Sequence, residues 1–275
     1  MARTLRAGRG RRLSAGRVAL TLFVCAVFAF LMLPLLVVFP ISISSASYLQ
    51  FPPPGFSWRW YQRYLDDPGW IDATVRSLKA GLLCTALALG SGVPLAFALV
   101  RSRLRGMRAV ERLVAAPVIV PTIILSIAVY SLFARLQLIG AWYGVAVAHA
   151  VLALPFVVIL VSAGLKTFDE AQEQAAMGLG ASWPVAVWRV TLPQLRPSLV
   201  SAGFLAFITS FDEFVVAMFL SGASMTLPKK VFDNIMMEID PTIAAVSVLQ
   251  ILLVGACLGL AALFGRGALA TATTR

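Results

Sequence analysis

Charged side chains are scarce in this chain: Asp, Glu, Lys and Arg make up 13% of 275 residues, against 60% hydrophobic residues. The mean hydropathy of +0.88 excludes a soluble domain. Histidine occurs once, as His149, and the three cysteines (Cys25, Cys84 and Cys257) all sit inside apolar runs. A Cys/His metal cluster is therefore excluded, and the thiols read as small packing residues rather than disulfide partners. There is no G-x-x-x-x-G-K-[ST] pattern, so ATP is not bound by that route, and neither G-x-S-x-G nor H-E-x-x-H occurs. Nothing supports catalysis, a metal or a cofactor on this chain.

Apolar runs dominate instead. A helix of about 20 apolar residues crosses roughly 30 Å of hydrocarbon. Six such spans are predicted, over 18–42, 73–100, 113–134, 139–164, 198–221 and 242–264. The fold class is all-α, a polytopic membrane protein with six transmembrane helices. Pro34, Pro94, Pro117, Pro121 and Pro155 lie within the runs. Membrane helices tolerate proline because neighbouring helices and local 3₁₀ adjustments satisfy the freed carbonyls. The arginines before the first run imitate a secretory signal, and the small residues from Ser44 to Ser47 would suit a peptidase. A run of about 22 residues from Val18 to Phe39 exceeds the 7–15 of a signal core, so the first helix is expected to stay.

The formal charge of +11 would suggest nucleic acid in a soluble protein, but here the basic residues punctuate the spans. They report topology. With both termini, the 101–112 loop and the 165–197 loop inside, that face holds sixteen Lys and Arg against seven outside. This is the positive-inside distribution of a plasma-membrane protein. The organisation is a basic cytoplasmic arm 1–17, a first span 18–42, an external loop 43–72, a core of five spans over 73–264 and a tail 265–275. The external loop is rich in Trp, Tyr and Pro, as in an interfacial aromatic belt with a stiff connector, or a docking surface for an external partner. Gly140/Gly144 and Gly255/Gly259 have the spacing of helix-packing pairs and carry no functional weight.

The 165–197 loop is the most informative stretch. Thr167 is expected to cap a helix through Glu173 to Met177, with Glu170 reaching back. Gly178 and Gly180 relax it, and Ser182 caps a second short helix from Trp183 to Val190, which Pro193 and Pro197 end. Small residues at Ala175, Ala176, Gly180 and Ala181 let a partner's backbone approach, while Leu179 and Trp183 can fill a pocket. An amphipathic connector resting on the membrane would look similar.

Gln174-Ala175-Ala176, then Gly180 after three intervening residues, and Val190-x-Leu192-Pro193 after nine more resemble the EAA loop of ABC-importer permeases. The first position departs, with Gln174 where the family has Glu, although Glu173 is adjacent. From about Ala73 to Gly265 the chain also resembles the second permease subunit of spermidine/putrescine importers. The stretches that carry this are Ser210-Phe211-Asp212-Glu213-Phe214, Leu227-Pro228-Lys229-Lys230 and Glu238-Ile239-Asp240-Pro241. The resemblance implies coupling residues Glu173, Gln174, Ala175, Ala176, Gly180, Leu192 and Pro193. It also implies a sister permease subunit, two ABC ATPase subunits that hold the ATP and Mg, and an extracytoplasmic substrate-binding protein. Substrates of that branch are polyamines, opines or amino-acid-like amines.

Asp212 and Glu213 are expected inside the fifth span, where a charge costs about 2.5–3.5 kcal/mol and so faces protein or a watery cavity. Either could meet a cationic substrate, with a Phe of the stripe 204, 207, 211 and 214 adding a cation–π contact. Either could equally fix the register of a neighbouring helix. Successive positions on a helix point about 100° apart, so the two are not expected to share one site. His149 reads as a satisfied interior group or, less simply, a proton relay. A secondary transporter using Asp212, Glu213 or His149 is the rival class.

Overall fold

The computed structural model describes residues 15–102, 104–237 and 239–270. The basic arm to residue 14, Arg103, Glu238 and the last five residues lie outside the described residues. α1 (Ala15–Ser42) is the first span. A short helix α2 (Arg59–Asp66) then leads into α3 (Pro68–Arg101). Asp67 starts α3 by accepting the Gly69 amide at 2.7 Å, with Pro68 in the first turn where no amide is needed. Next come α4 (Met107–Ile119), α5 (Thr122–Arg135) and α6 (Trp142–Thr167). The loop carries α7 (Glu170–Gly178) and α8 (Trp183–Ala186), which runs through a π-helical turn at Val187–Thr191 into α9 (Leu192–Gln194). α10 (Arg196–Phe211), α11 (Val215–Leu220), α12 (Leu227–Met237) and α13 (Thr242–Ala270) complete the order.

Among the described residues, four helices are long and apolar enough to cross a membrane unaided: α1, α3, α6 and α13. The third expected span is bent by 106° between α4 and α5, at Val120-Pro121. The fifth, expected as continuous over 198–221, is interrupted at Asp212–Phe214. Its longer piece, α10, has 16 residues, or about 24 Å at 1.5 Å per residue, short of the hydrocarbon thickness. Hydropathy alone marks these runs as apolar and does not register either break.

The heart of the molecule is α3, α6 and α10 packed on one another through Cys84, Ala88, Ala96, Ala153, Val157 and Ala206, all fully buried. Lipid chains are as apolar as leucine, so association inside a bilayer relies on close packing, which small residues allow. Gly92 shows the tolerance: a Cβ there would lie 2.7 Å from Cγ1 of the buried Val157. A second cluster joins α5, α6 and α11 through Phe133, Val145, Val216 and Leu220. Gly140 and Gly144, by contrast, do not form a helix-packing pair. Gly140 has φ of +80° in the turn before α6, and Gly144 lies against the Leu138 carbonyl.

The 43–72 segment is folded rather than a plain connector. Trp60 Nε1 donates to the Ser44 carbonyl at 2.8 Å, and Tyr64 and Thr74 hydroxyls lie 2.8 Å apart. Arg63 reaches Asp240 at 3.4 Å, tying α2 to the start of α13. Trp60, Tyr64 and Trp70 are buried, so only Trp58 and its exposed neighbours suit a membrane interface.

Replacing Gly92 with Val should lower stability by about 1–3 kcal/mol through overpacking against Val157. A reduced thermal midpoint in detergent would register it, while Gly90→Val, with open space around it, should leave that midpoint nearer the parent value.

Candidate functional site

Two polar constructions interrupt the apolar bundle. The first holds the loop. Arg101 is the last residue of α3, where a cation suits the carbonyl end of the helix. Its guanidinium lies 5.0 Å from the Phe97 ring and 5.9 Å from the Phe168 ring. Nη1 donates to both carboxylate oxygens of Glu173, at 2.7 and 2.8 Å. The Thr191 hydroxyl donates to Glu173 Oε2 from the π-helical turn. One carboxylate thus joins three elements: α3, α7 and the turn that leads to α10. Glu173 is 5% exposed and the Arg101 side chain 17%, so removing one partner would strand a buried charge, at about 3–5 kcal/mol.

Burial pushes the Glu173 carboxyl up, but the Thr191 hydroxyl and Arg101 together outweigh it and hold the group below its ordinary value.

Local geometry departs from the sequence expectation in three places. Helix α6 runs through Thr167, so that hydroxyl donates back to the Gly164 carbonyl at 2.9 Å and is not free to cap. Asp169 caps α7 instead, accepting the Ala171 amide at 3.0 Å. Ser182 occupies the cap position of α8 without a side-chain bond. Pro193 and Pro197 do not end the segment, because each falls in the first turn of the helix that follows it. The glycine expectation holds at Gly180, whose φ is +95°. Its amide donates to the Met177 carbonyl and that of Ala181 to the Ala176 carbonyl, a closed C-terminal turn.

With Glu173 turned inward, Gln174 and Ala175 are exposed, Ala176 half-buried and Gly180 exposed. Leu179 is 92% exposed and Trp183 about half exposed. Leu192 lines a groove with Trp183, Val187 and Trp188. Of the seven coupling residues named from sequence, Glu173 is set apart as the one that faces the protein interior.

The second construction sits at the break in the fifth span. α10 ends at Phe211 and the chain turns through Asp212 and Glu213 before α11. The Glu213 carboxylate accepts the amides of Val215, Val216 and Ala217 at 3.0, 2.8 and 3.2 Å. Those are the unpaired donors of the new helix, and a negative charge there is favourable. His149, fully buried on α6, places Nδ1 2.8 Å from the Ser210 hydroxyl. Its Nε2 lies 3.3 Å from Glu213 Oε2, near enough for electrostatic contact without hydrogen-bond alignment. The sequence offered His149 no acidic neighbour, because Glu213 is supplied from another span.

Asp212 closes α10 in helical backbone conformation, its amide donating to the Ile208 carbonyl, and Glu213 follows in the break. Glu213 is turned into the bundle, and Asp212 is exposed. Asp212 lines a cavity of 510 Å³ with Leu35, Phe211, Ser247 and Gln250 among its walls. The Phe stripe is largely a packing face: Phe207 stacks on Phe211 at 5.6 Å and Phe214 meets Phe232 at 4.6 Å. Sequence reasoning missed Arg101, Thr191 and Ser210. Arg101 was one of several loop cations, and the only hint of its role was its position as the first charge after a long apolar run.

Residues 88–273 match the family described as the binding-protein-dependent transport system inner membrane component. The chain is 30% identical over 233 residues to the spermidine/putrescine transport system permease protein PotC of Haemophilus influenzae, covering 84% of this chain and 90% of that one. It is 32% identical over 236 residues to the putrescine transport system permease protein PotI of Escherichia coli K12, covering 83% and 84%. Among solved structures it is similar in fold to a chain of a bacterial ABC transporter that imports the acidic polysaccharide alginate. That likeness has a TM-score of 0.71 at 22% identity, over 94% of this chain and 98% of the other.

Because the folded Glu173 carboxyl is lowered, its clamp should be fully present above the ordinary carboxylate value of about 4.3 and lost only as pH falls through the depressed one. Hydrogen-exchange protection of residues 170–191 should therefore persist from pH 7 to about pH 4.3. In Thr191→Val the loss should begin at higher pH.

Proposed function

This chain belongs to the binding-protein-dependent transport system inner membrane component family, and on that footing we propose that it is a permease subunit of an ATP-driven importer of polyamines or related cationic amines. The likeness to permeases named for spermidine and putrescine supports the substrate class. A sister permease, two ATPase subunits and an extracytoplasmic binding protein complete the assembly, with the 165–197 loop and both termini on the cytoplasmic face.

The observation that carries the reading is the Arg101–Glu173–Thr191 clamp. A docking loop drives a membrane bundle only if it cannot yield at its own root. Here the exposed edge of Gln174, Ala175 and Gly180 is anchored through Glu173 to the end of α3, and through α9 it is nearly continuous with α10. Closure of the ATPases on ATP moves this edge, and the motion passes to the α3–α6–α10 bundle. The cavity then alternates between the two sides of the membrane, each state with its own packing.

Within the bundle, Asp212 is the carboxylate assigned to the translocation path. Its cavity adds the Gln250 amide, the Ser247 hydroxyl and the Phe211 ring, a set that suits an ammonium group. Glu213 has its oxygens engaged by three amides and is assigned to holding the break.

Ala175→Trp should abolish co-purification of the ATPase while leaving the chain at parental abundance in the membrane. Loss of the chain itself, or an undiminished ATPase, would count against docking through this edge. Asp212→Asn should lower amine uptake about tenfold or more, the effect of losing one charge-assisted contact, at unchanged abundance. Glu213→Gln should instead lower abundance and thermal stability. Uptake that continues without ATP would favour an ion-coupled carrier.

A further inference from the structure

A groove of 520 Å³ opens between α3, α4 and α6. Its walls are apolar, with Leu99, Val114, Pro155, Val158 and Ile159 among them, and Glu111 and Lys166 also line it. Along α6 it extends from Pro155 to Lys166, about 16 Å at 1.5 Å per residue. That is close to half of a hydrocarbon core of roughly 30 Å, or one leaflet. Lys166 lies at the end of α6 and Glu111 in the second turn of α4, so the charged end of the groove coincides with the interface and the apolar end lies at depth.

The two charges are exposed, and neither makes an ion pair or hydrogen bond among the described residues. Glu111 is also the only acidic residue between 101 and 112, in a stretch where Arg105, Arg108 and Arg112 are exposed. A lysine among arginines would attract any phosphate. A carboxylate in the same groove disfavours a head group that is only anionic and offers a partner to one that also carries an ammonium.

We propose that this groove holds a phospholipid with an amine head group, one acyl chain lying along α6 from Ser162 towards Pro155. The phosphate faces Lys166 and the ammonium faces Glu111. The site lies in the leaflet on the side of the 165–197 loop whichever way the chain is inserted, and it is independent of the transported substrate.

The test is native mass spectrometry of the complex isolated from membranes, delipidated and incubated with equal phosphatidylethanolamine and phosphatidylglycerol. The parent complex should retain the former about fivefold over the latter, roughly the effect of one exposed charge pair. Glu111→Gln should bring that ratio to about one, Lys166→Gln should reduce retention of both lipids, and Ala163→Trp, which fills the groove, should displace them. All three positions are exposed, and size-exclusion chromatography verifies that each complex assembles. Equal retention of the two lipids by the parent, or a preference untouched by Glu111→Gln, overturns the proposal. Retention unchanged in Ala163→Trp overturns it too, since the lipid then sits elsewhere or a protein partner covers this face.

Discussion

The Glu173 carboxylate is the contact on which the loop's geometry depends. Without it α7 would be a nine-residue helix held by its own cap and by exposed contacts of Gln172 with Gln194 and Glu170 with Arg101, below the length at which an isolated helix persists in water. With it, the loop shares a buried charge with the end of α3 and a hydroxyl with the π-helical turn. A buried ion pair contributes little net stability, since desolvation offsets most of the attraction, but it is strongly directional. The placement of α7 satisfies Arg101 and Thr191 together. That placement decides which residues of the loop face outward.

The same logic is repeated at depth with different chemistry. At the break between α10 and α11, Glu213 takes up three backbone amides that would otherwise be unsatisfied in an apolar setting, where each costs several kcal/mol. His149 and Ser210 complete the surroundings and bind α6 to the break. Asp212, just before the break, closes α10 with its amide donating to the Ile208 carbonyl, and its carboxylate faces a cavity.

Much of this was legible in the sequence. Apolar run length located the four long helices α1, α3, α6 and α13 to within about six residues, but the third and fifth runs fold as a bent pair and a broken helix. The spacing of Ala175, Ala176, Gly180, Leu192 and Pro193 identified the loop, and Gly180 took the left-handed backbone that its residue type permits. Two of the misses depended on a partner far away in sequence, and Thr167 was missed because α6 runs on past its expected end. Thr167 could not be seen to belong to α6, nor Arg101 to be paired across 72 positions, nor His149 to meet Glu213. Pro193 and Pro197 misled because a helix breaker and a first-turn residue look identical until the preceding helix is known to have ended.

The interrupted fifth span also constrains biogenesis. α10 is too short to bridge the bilayer, and α11 follows the Glu213 carboxylate, whose Oε2 lies 3.3 Å from His149 Nε2 on α6. Such a segment is poorly suited to leave the translocon for lipid by itself, and it gains a polar partner only when His149 is already in place. Chain order supplies that partner first, since α6 is synthesised before α10. The kink therefore makes membrane integration of this region a cooperative event between non-consecutive segments.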